Sequence, residues 1–200
     1  MSNKNIEKRT YRSDISSDQD NNRTVRGYAA LYNSETELRP GIYERIAPGA
    51  FSSAIQVSDI RALLNHNPDH VLGRTKSGTL RVAEDQKGLS FEVDLPETRA
   101  DVLESLKRGD IDQCSFAFTI TDDGMDVERR ADGSKMITIT KIERIYDVTI
   151  ATYPAYEDTE VSARSKKLLD EIEAGQPETD KATQQRNENI LKLVEASLFI

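Results

Sequence analysis

A strict alternation of apolar and polar side chains over residues 89–95 is the feature that most constrains this chain. The apolar positions are Leu89, Phe91, Val93 and Leu95, and the polar positions between them are Ser90, Glu92 and Asp94. Successive side chains of a β-strand point to opposite faces. The period of two therefore predicts a strand with one buried face and one solvated face.

Other segments rich in β-forming residues precede and follow this one. They cover residues 24–32, 60–64, 71–84, 111–121, 125–130, 136–142 and 145–152. Two helices are expected, a short one at residues 50–57 and a clearer one at residues 98–108 that ends at Gly109. About seven strands with few helices predict a mainly β, α+β fold that forms a closed or nearly closed barrel.

The polar ends of the chain set the expected domain limits. Residues 1–22 predict a flexible N-terminal arm, because so polar a segment buries too little apolar surface to offset its ordering entropy. A folded domain is expected over residues 23–163. Residues 164–200 predict a polar linker and then an amphipathic helix at 187–199, which either docks on a partner or covers the domain.

Composition excludes several classes of function. The formal net charge of −8 disfavours nonspecific binding of nucleic acid, which needs Lys and Arg against phosphates. No apolar run approaches the ~20 residues that span a bilayer, and the first residues lack the apolar core of a signal peptide. We therefore expect a soluble, cytoplasmic protein without membrane contact. One cysteine and two histidines predict neither an intramolecular disulfide nor a metal site.

The two histidines are the side chains that titrate near neutral pH when unperturbed. His66 follows the apolar segment 60–64 and lies between Asn65 and Asn67, whereas His70 belongs to a polar turn. Site residues often follow a rigid element, which makes His66 the stronger candidate. From the residues alone, a polar loop residue with satisfied hydrogen bonds remains the favoured interpretation of either histidine.

Ser115 is a polar residue within an otherwise apolar strand and is a candidate nucleophile. A serine that makes room for a close neighbour is the alternative, and it is favoured on this residue alone. Strand alternation directs Ser115 and Cys114 to opposite faces. A cysteine hydrolase that uses Cys114 is a further alternative. Alternation disfavours it, because His66 cannot easily serve both faces.

Asp147 begins the apolar run 147–153 in this interpretation. As the third member of a triad it would accept a hydrogen bond from the histidine ring and fix its tautomer. Glu143 competes for this role, and a solvated carboxylate at a strand end is the alternative.

The chain has no glycine fingerprint for phosphates or dinucleotides. Carboxylate pairs of the glycosidase kind have no specificity among 35 acidic residues.

Six groups of residues follow one another in a specific order and spacing between residues 25 and 163. They are Val25-Arg26-Gly27-Tyr28-Ala29, Glu44-Arg45-Ile46-Ala47-Pro48-Gly49-Ala50-Phe51, Leu64-Asn65-His66-Asn67, Val71-Leu72-Gly73-Arg74, Gly109-Asp110-Ile111 with Cys114-Ser115-Phe116-Ala117-Phe118, and Asp147-Val148-Thr149-Ile150 with Tyr153-Pro154-Ala155-Tyr156. Together they resemble the prohead (capsid maturation) serine protease family of tailed bacteriophages, distantly related to the herpesvirus assemblin proteases.

This resemblance implies a herpesvirus-protease-like β-barrel that acts as a serine endopeptidase without a cofactor. It places the nucleophile on Ser115, the general base on His66 and the third catalytic residue on Asp147, preferred to Glu143 because it directly precedes Val148. The oxyanion donors stay unassigned. The herpesvirus enzymes carry arginines where this chain has residues 153–156.

The resemblance also implies partners and a location. The substrates would be the scaffolding protein or the scaffold-like segment of the major capsid protein, inside a prohead in the host cytoplasm. Self-processing in residues 157–186, self-association, and a C-terminal helix that acts as a packaging tag are further expectations. One alternative is a catalytically silent capsid-assembly or scaffold protein on the same fold. Another is a binding module, in which His66 and Ser115 would lie far apart.

Overall fold

The computed structural model describes residues 6–12, 15–17 and 23–153. These residues form thirteen strands, two α-helices and two short 3-10 helices. The strands are β1 (Glu7–Arg12), β2 (Ser16–Ser17), β3 (Thr24–Leu31), β4 (Thr36–Arg39), β5 (Ile42–Ile46), β6 (Arg61–Leu64), β7 (Asn67–Arg74), β8 (Leu80–Glu84), β9 (Gly88–Asp94), β10 (Gln113–Ile120), β11 (Met125–Arg129), β12 (Lys135–Ile139) and β13 (Ile142–Ala151). The α-helices are α1 (Ser52–Val57) and α2 (Ala100–Arg108), and the 3-10 helices are Thr75–Ser77 and Glu97–Arg99.

The strands form three sheets, so the prediction of a mainly β, α+β fold is confirmed. The first sheet has the order β1-β10-β13-β6-β7, the second β11-β12-β5-β4 and the third β2-β3-β9-β8. Two of the pairings are parallel, β13 with β6 and β12 with β5. The parallel pair β13 and β6 matters most for the site, because it brings two segments that are distant in sequence side by side.

The prediction of a closed or nearly closed barrel of about seven strands is wrong. The described residues form thirteen strands in three separate sheets. Alternation in a sequence shows that a strand has one buried face, but it does not show which strands pair. β4 and β5, which the sequence did not predict as strands, join β12 and β11 in a sheet of their own.

One apolar core connects the three sheets. Buried side chains from all three sheets and from both α-helices belong to a single cluster. Four phenylalanines lie within it. Three of them pack together, with ring centroids 5.6 Å apart for Phe51 and Phe116 and 4.5 Å apart for Phe116 and Phe118. Phe116 and Phe118 belong to β10, so the strand that carries Ser115 is held by the core through its opposite face.

Several elements lie where the sequence predicts them. Residues 52–57 and 100–108 form α1 and α2 inside the two predicted helical segments, and α2 ends at Gly109 with a positive φ of 78°. The alternating segment forms β9, with burial that alternates along the strand. No helix within the described residues is long and apolar enough to cross a bilayer.

The N-terminal residues differ from the expectation of a flexible arm. Residues 7–12 form β1, which pairs antiparallel with β10, and Ser16–Ser17 pair with β3. Polar composition did not indicate this strand, because its burial depends on ion pairs of Glu7 and Arg9 rather than on apolar side chains. The predicted linker and helix of residues 164–200 lie outside the described residues.

Candidate active site

His66 lies in the two-residue turn that joins β6 to β7. Asn65 and His66 both have a φ of 54°, and Leu64 pairs with Asn67 across the turn. Two successive residues with positive φ define the tight hairpin turn that matches the twist of antiparallel strands. Positive φ is uncommon outside glycine, and asparagine and histidine are among the residues that adopt it most often. The turn places the His66 ring just beyond the end of β6.

Asn65 fixes this turn to the end of β13. Its backbone N–H donates to the carbonyl of Ile150 at 3.0 Å. Its side-chain oxygen accepts from the backbone N–H of Thr152 at 2.8 Å, and its side-chain amide donates to the Thr152 hydroxyl at 3.0 Å. These three bonds hold the His66 turn against the strand that carries Asp147, so the ring has a defined position.

Ser115 lies in β10, between β1 and β13. It pairs with Thr10 on one side and with Thr149 on the other, and its exposed fraction is 0%. The Ser115 hydroxyl lies 2.6 Å from Nε2 of His66. A second contact places the hydroxyl oxygen 2.8 Å from the backbone carbonyl oxygen of Arg9, in β1. A buried serine needs a hydrogen-bond partner, and this one has two.

Asp147 lies in the middle of β13, whereas the sequence predicts it at the start of a strand. The strand begins at Ile142, because β13 continues its pairing with β10 past two register shifts. The Asp147 carboxylate lies 2.7 Å from Nδ1 of His66. Because Asp147 is buried, little water competes with the histidine ring for its carboxylate.

Thr149 completes the contacts around His66. Its hydroxyl donates to the same Asp147 oxygen at 2.7 Å and lies 3.2 Å from Nδ1 of His66. Because Asp147 and Thr149 are two residues apart on one strand, their side chains share the face of the sheet that Ser115 occupies. Thr149 was not among the residues that the sequence predicts for the site, although strand alternation places its side chain on the same face as that of Asp147.

The order of these contacts defines the direction in which a proton can pass. An ionised carboxylate only accepts hydrogen bonds, so opposite such a carboxylate Nδ1 of His66 is the donor. Nε2 is then the acceptor in the neutral ring, so the Ser115 hydroxyl can donate to it. A hydroxyl, an imidazole and a carboxylate in this order can activate the oxygen of the hydroxyl as a nucleophile.

The competing candidates lie elsewhere. Cys114 is buried in the apolar core, on the opposite face of β10 from Ser115. Glu143 accepts a hydrogen bond from the Thr119 hydroxyl at 3.3 Å. His70 lies on the exposed part of β7, with Nδ1 2.7 Å from a guanidinium nitrogen of Arg99. The binding-module alternative expected His66 and Ser115 far apart, whereas their side chains are in hydrogen-bond contact.

The described residues contain no group of three or more His, Cys, Asp or Glu side chains placed to hold a metal ion. The polar groups that converge here are a serine, a histidine and a carboxylate on a mainly β scaffold. This geometry is similar to the serine, histidine and carboxylate arrangement of the serine hydrolases.

The comparison with family models agrees with this class. The model described as "Caudovirus prohead serine protease" matches residues 11–173. The chain therefore belongs to the prohead serine protease family of tailed bacteriophages, as the sequence motifs predicted. Comparison with curated proteins and with solved structures gave no significant match.

Proposed function

We propose that this chain is a serine endopeptidase in which Ser115 is the nucleophile, His66 the general base and Asp147 the residue that orients His66. The observation that carries the proposal is the continuous hydrogen-bonded row formed by Asp147, His66 and Ser115, with contacts of 2.7 and 2.6 Å. Membership of a serine protease family supports the same reaction.

The reaction is an acyl transfer in two halves. His66 takes the Ser115 proton as Oγ attacks a peptide carbonyl carbon, and it then gives that proton to the departing amine. Asp147 stabilises the imidazolium that forms between these steps. Water then attacks the acyl-enzyme, with His66 again acting as base, and releases the second product. These steps require no metal and no organic cofactor.

The proposed substrates are the scaffolding protein or the scaffold-like segment of the major capsid protein. The family description places such enzymes at the prohead, which supports capsid-related substrates in general. Cleavage inside the assembling prohead, in the host cytoplasm, would remove internal protein before the shell matures. Self-cleavage within residues 157–186 and packaging through residues 187–199 belong to the same proposal and lie outside the described residues.

Intact-mass analysis of three proteins tests the proposal. Wild type, Ser115→Ala and Ser90→Ala are each incubated alone and with the neighbouring capsid and scaffolding proteins. Ser90 is the matched control, because its hydroxyl lies in another sheet and donates to the carbonyl of Ala83. We expect fragments with wild type and Ser90→Ala but none with Ser115→Ala, and the fragment masses locate the cleaved bonds.

A catalytically silent assembly protein is the second candidate. The complete burial of Ser115 favours it, because a nucleophile must meet its substrate. Cleavage that is unchanged in Ser115→Ala, or absent from all three folded proteins and from a variant with a loosened β1, would support this candidate instead.

A further inference from the structure

β1 occupies the edge of the sheet next to Ser115. Six register pairs join it to β10, from Glu7 opposite Phe118 to Arg12 opposite Gln113. Its backbone therefore lies where any extended peptide would have to lie in order to pair with β10. An exposed sheet edge binds extended peptides by adding them as a further strand. In this chain that edge is filled by the chain's own residues.

The carbonyl of Arg9 is the part of β1 that reaches the proposed nucleophile. Its oxygen lies 2.8 Å from the Ser115 hydroxyl and accepts a hydrogen bond from it. A hydroxyl has one proton. When that proton is donated to Arg9 it is not donated to His66, although the ring also lies within hydrogen-bond distance. The contact thus covers Ser115 and also directs its proton away from the base.

The Arg9 side chain fixes β1 to a different sheet. Its guanidinium donates to both oxygens of Glu44 in β5, at 2.5 and 2.8 Å. It also lies 3.3 Å from Glu7, and 5.8 Å from the Phe118 ring centroid. Arg9 is 7% exposed and Glu44 3% exposed. A bidentate pair out of water is both stronger and more selective for arginine than a surface pair.

We propose that the edge of β10 beside Ser115 is the substrate-binding edge, that Glu44 selects a basic side chain there, and that β1 fills this edge as an internal competitor. The inference rests on the proposed function and extends it to substrate class. The residue whose carbonyl reaches Ser115 would be Arg or Lys, since its side chain would point at Glu44 as that of Arg9 does. A substrate strand must displace β1 before it is cleaved.

Substitution of Arg9 tests the competition. Arg9→Met removes the ion pair and leaves Glu44 without this partner when β1 is in place, which favours the displaced state. Arg45→Met is the matched control, because Arg45 neighbours Glu44 in β5 but bonds Thr138 and Glu128 instead. The accessible fraction of Ser115 limits the apparent rate, so we expect Arg9→Met to cleave protein substrate at least about tenfold faster than wild type and Arg45→Met.

Peptide binding tests the site without any chemistry. A fluorescent peptide with the sequence of residues 6–12 is titrated into Arg9→Met, and a second peptide carries Gln in place of Arg9. We expect the arginine peptide to bind at least about tenfold tighter by anisotropy, and we expect Glu44→Gln in the same background to remove the difference. Equal binding of the two peptides, or no binding by either, would overturn the inference.

Hydrogen exchange separates this inference from the proposed function. Amides of residues 7–12 should exchange slowly in wild type and faster in Arg9→Met, whether or not any bond is cleaved. Fast exchange of these amides in wild type would overturn the proposal that β1 competes with substrate for the edge of β10. Selective peptide binding together with slow exchange, but without cleavage that depends on Ser115, would contradict the protease and leave a peptide-binding edge.

Discussion

The two strands that flank β10, which are β13 and β1, make opposing contacts with Ser115 and its proposed base. β13 supplies Asp147 and Thr149, which hold His66 in place to receive the Ser115 proton. β1 supplies the Arg9 carbonyl, which accepts a hydrogen bond from the same hydroxyl. β13 thus contributes to the proposed catalytic arrangement, and β1 occupies the sheet edge beside it.

The two neighbours are also held in different ways. β13 lies in the middle of its sheet and packs Val148 and Ile150 into the core. β1 is an edge strand whose buried side chains include Glu7 and Arg9, held by ion pairs. Apolar burial in the middle of a sheet favours a permanent structure, whereas an edge strand held by ion pairs can leave and become solvated. We therefore expect β13 and its contacts with His66 to stay in place when β1 leaves the sheet edge.

The largest expected loss of activity comes from substitution of His66, which contacts both Asp147 and Ser115. His66→Gln keeps a polar side chain but removes the base, and we expect cleavage of capsid or scaffolding protein to fall by roughly 10⁴-fold or more. Cleavage rates of His66→Gln, Ser115→Ala and the double variant are the measurement. The double variant should be no slower than either single one, because both residues act in one step. Additive losses would contradict a shared role.

Asp147→Asn is expected to have the next largest effect. The amide cannot accept from His66 in the same way and favours the wrong tautomer, so kcat should fall by roughly 10³- to 10⁴-fold. Glu143→Gln is the matched control, because this carboxylate lies on the same strand and contacts Thr119 instead. Steady-state kinetics on both variants decide between the two residues. A larger loss with Glu143→Gln would transfer the role to Glu143.

Thr149 should have a smaller effect, since it positions Asp147 rather than taking part in the reaction. Thr149→Val removes the hydroxyl that donates to Asp147, and we expect kcat to fall about tenfold with KM nearly unchanged. Thr149→Ser keeps the hydroxyl and should restore most of the activity. If both variants lose activity equally, packing of the methyl group and not the hydrogen bond is what matters.

The smallest effect concerns stability at the far end of the hairpin that carries His66. Asp59 accepts three hydrogen bonds from Arg74, of 2.9, 3.2 and 2.5 Å. This pairing, together with the positive charges of Arg61 and Lys76, lowers the pKa of Asp59 from 3.8 to about 2. A lowered pKa in the folded state stabilises the protein fully above the unfolded pKa, and this contribution disappears as the pH falls toward 2.

Urea unfolding of wild type and Asp59→Asn over a range of pH measures this contribution. The difference between their unfolding free energies should stay constant above about pH 5 and shrink below about pH 4. Asp69→Asn, which changes an exposed carboxylate on the same hairpin, is the control and should differ little from wild type. A difference between wild type and Asp59→Asn that grows on acidification would contradict the assignment.

The sequence predicted β10, β13 and the three site residues better than it predicted β1. Ser115 and Asp147 lie in apolar segments whose alternation identifies strands, and His66 follows a third such segment. Their meeting depends on the parallel pairing of β6 with β13, which no local pattern encodes. The ordered motifs of the family supplied that long-range information for the site residues but left Thr149 unassigned.

The pairing of β1 with β10 could not be predicted from local sequence patterns. The sequence around β1 is charged, and charged segments are typical of solvated arms. Its burial depends on Arg9 finding Glu44, 35 residues away along the chain, and such a pair leaves no local signal in one sequence. The barrel prediction failed for a related reason, since the pairing of β5 with β12 is also long-range.

Covalent labelling with a fluorophosphonate, followed by mass mapping of the modified peptide, tests the central claim most directly. The account predicts one adduct, on the Ser115 hydroxyl, that forms faster in Arg9→Met than in wild type and is absent from Ser115→Ala and His66→Gln. A folded Arg9→Met protein that takes up no label, or that carries the label on another residue, would contradict it.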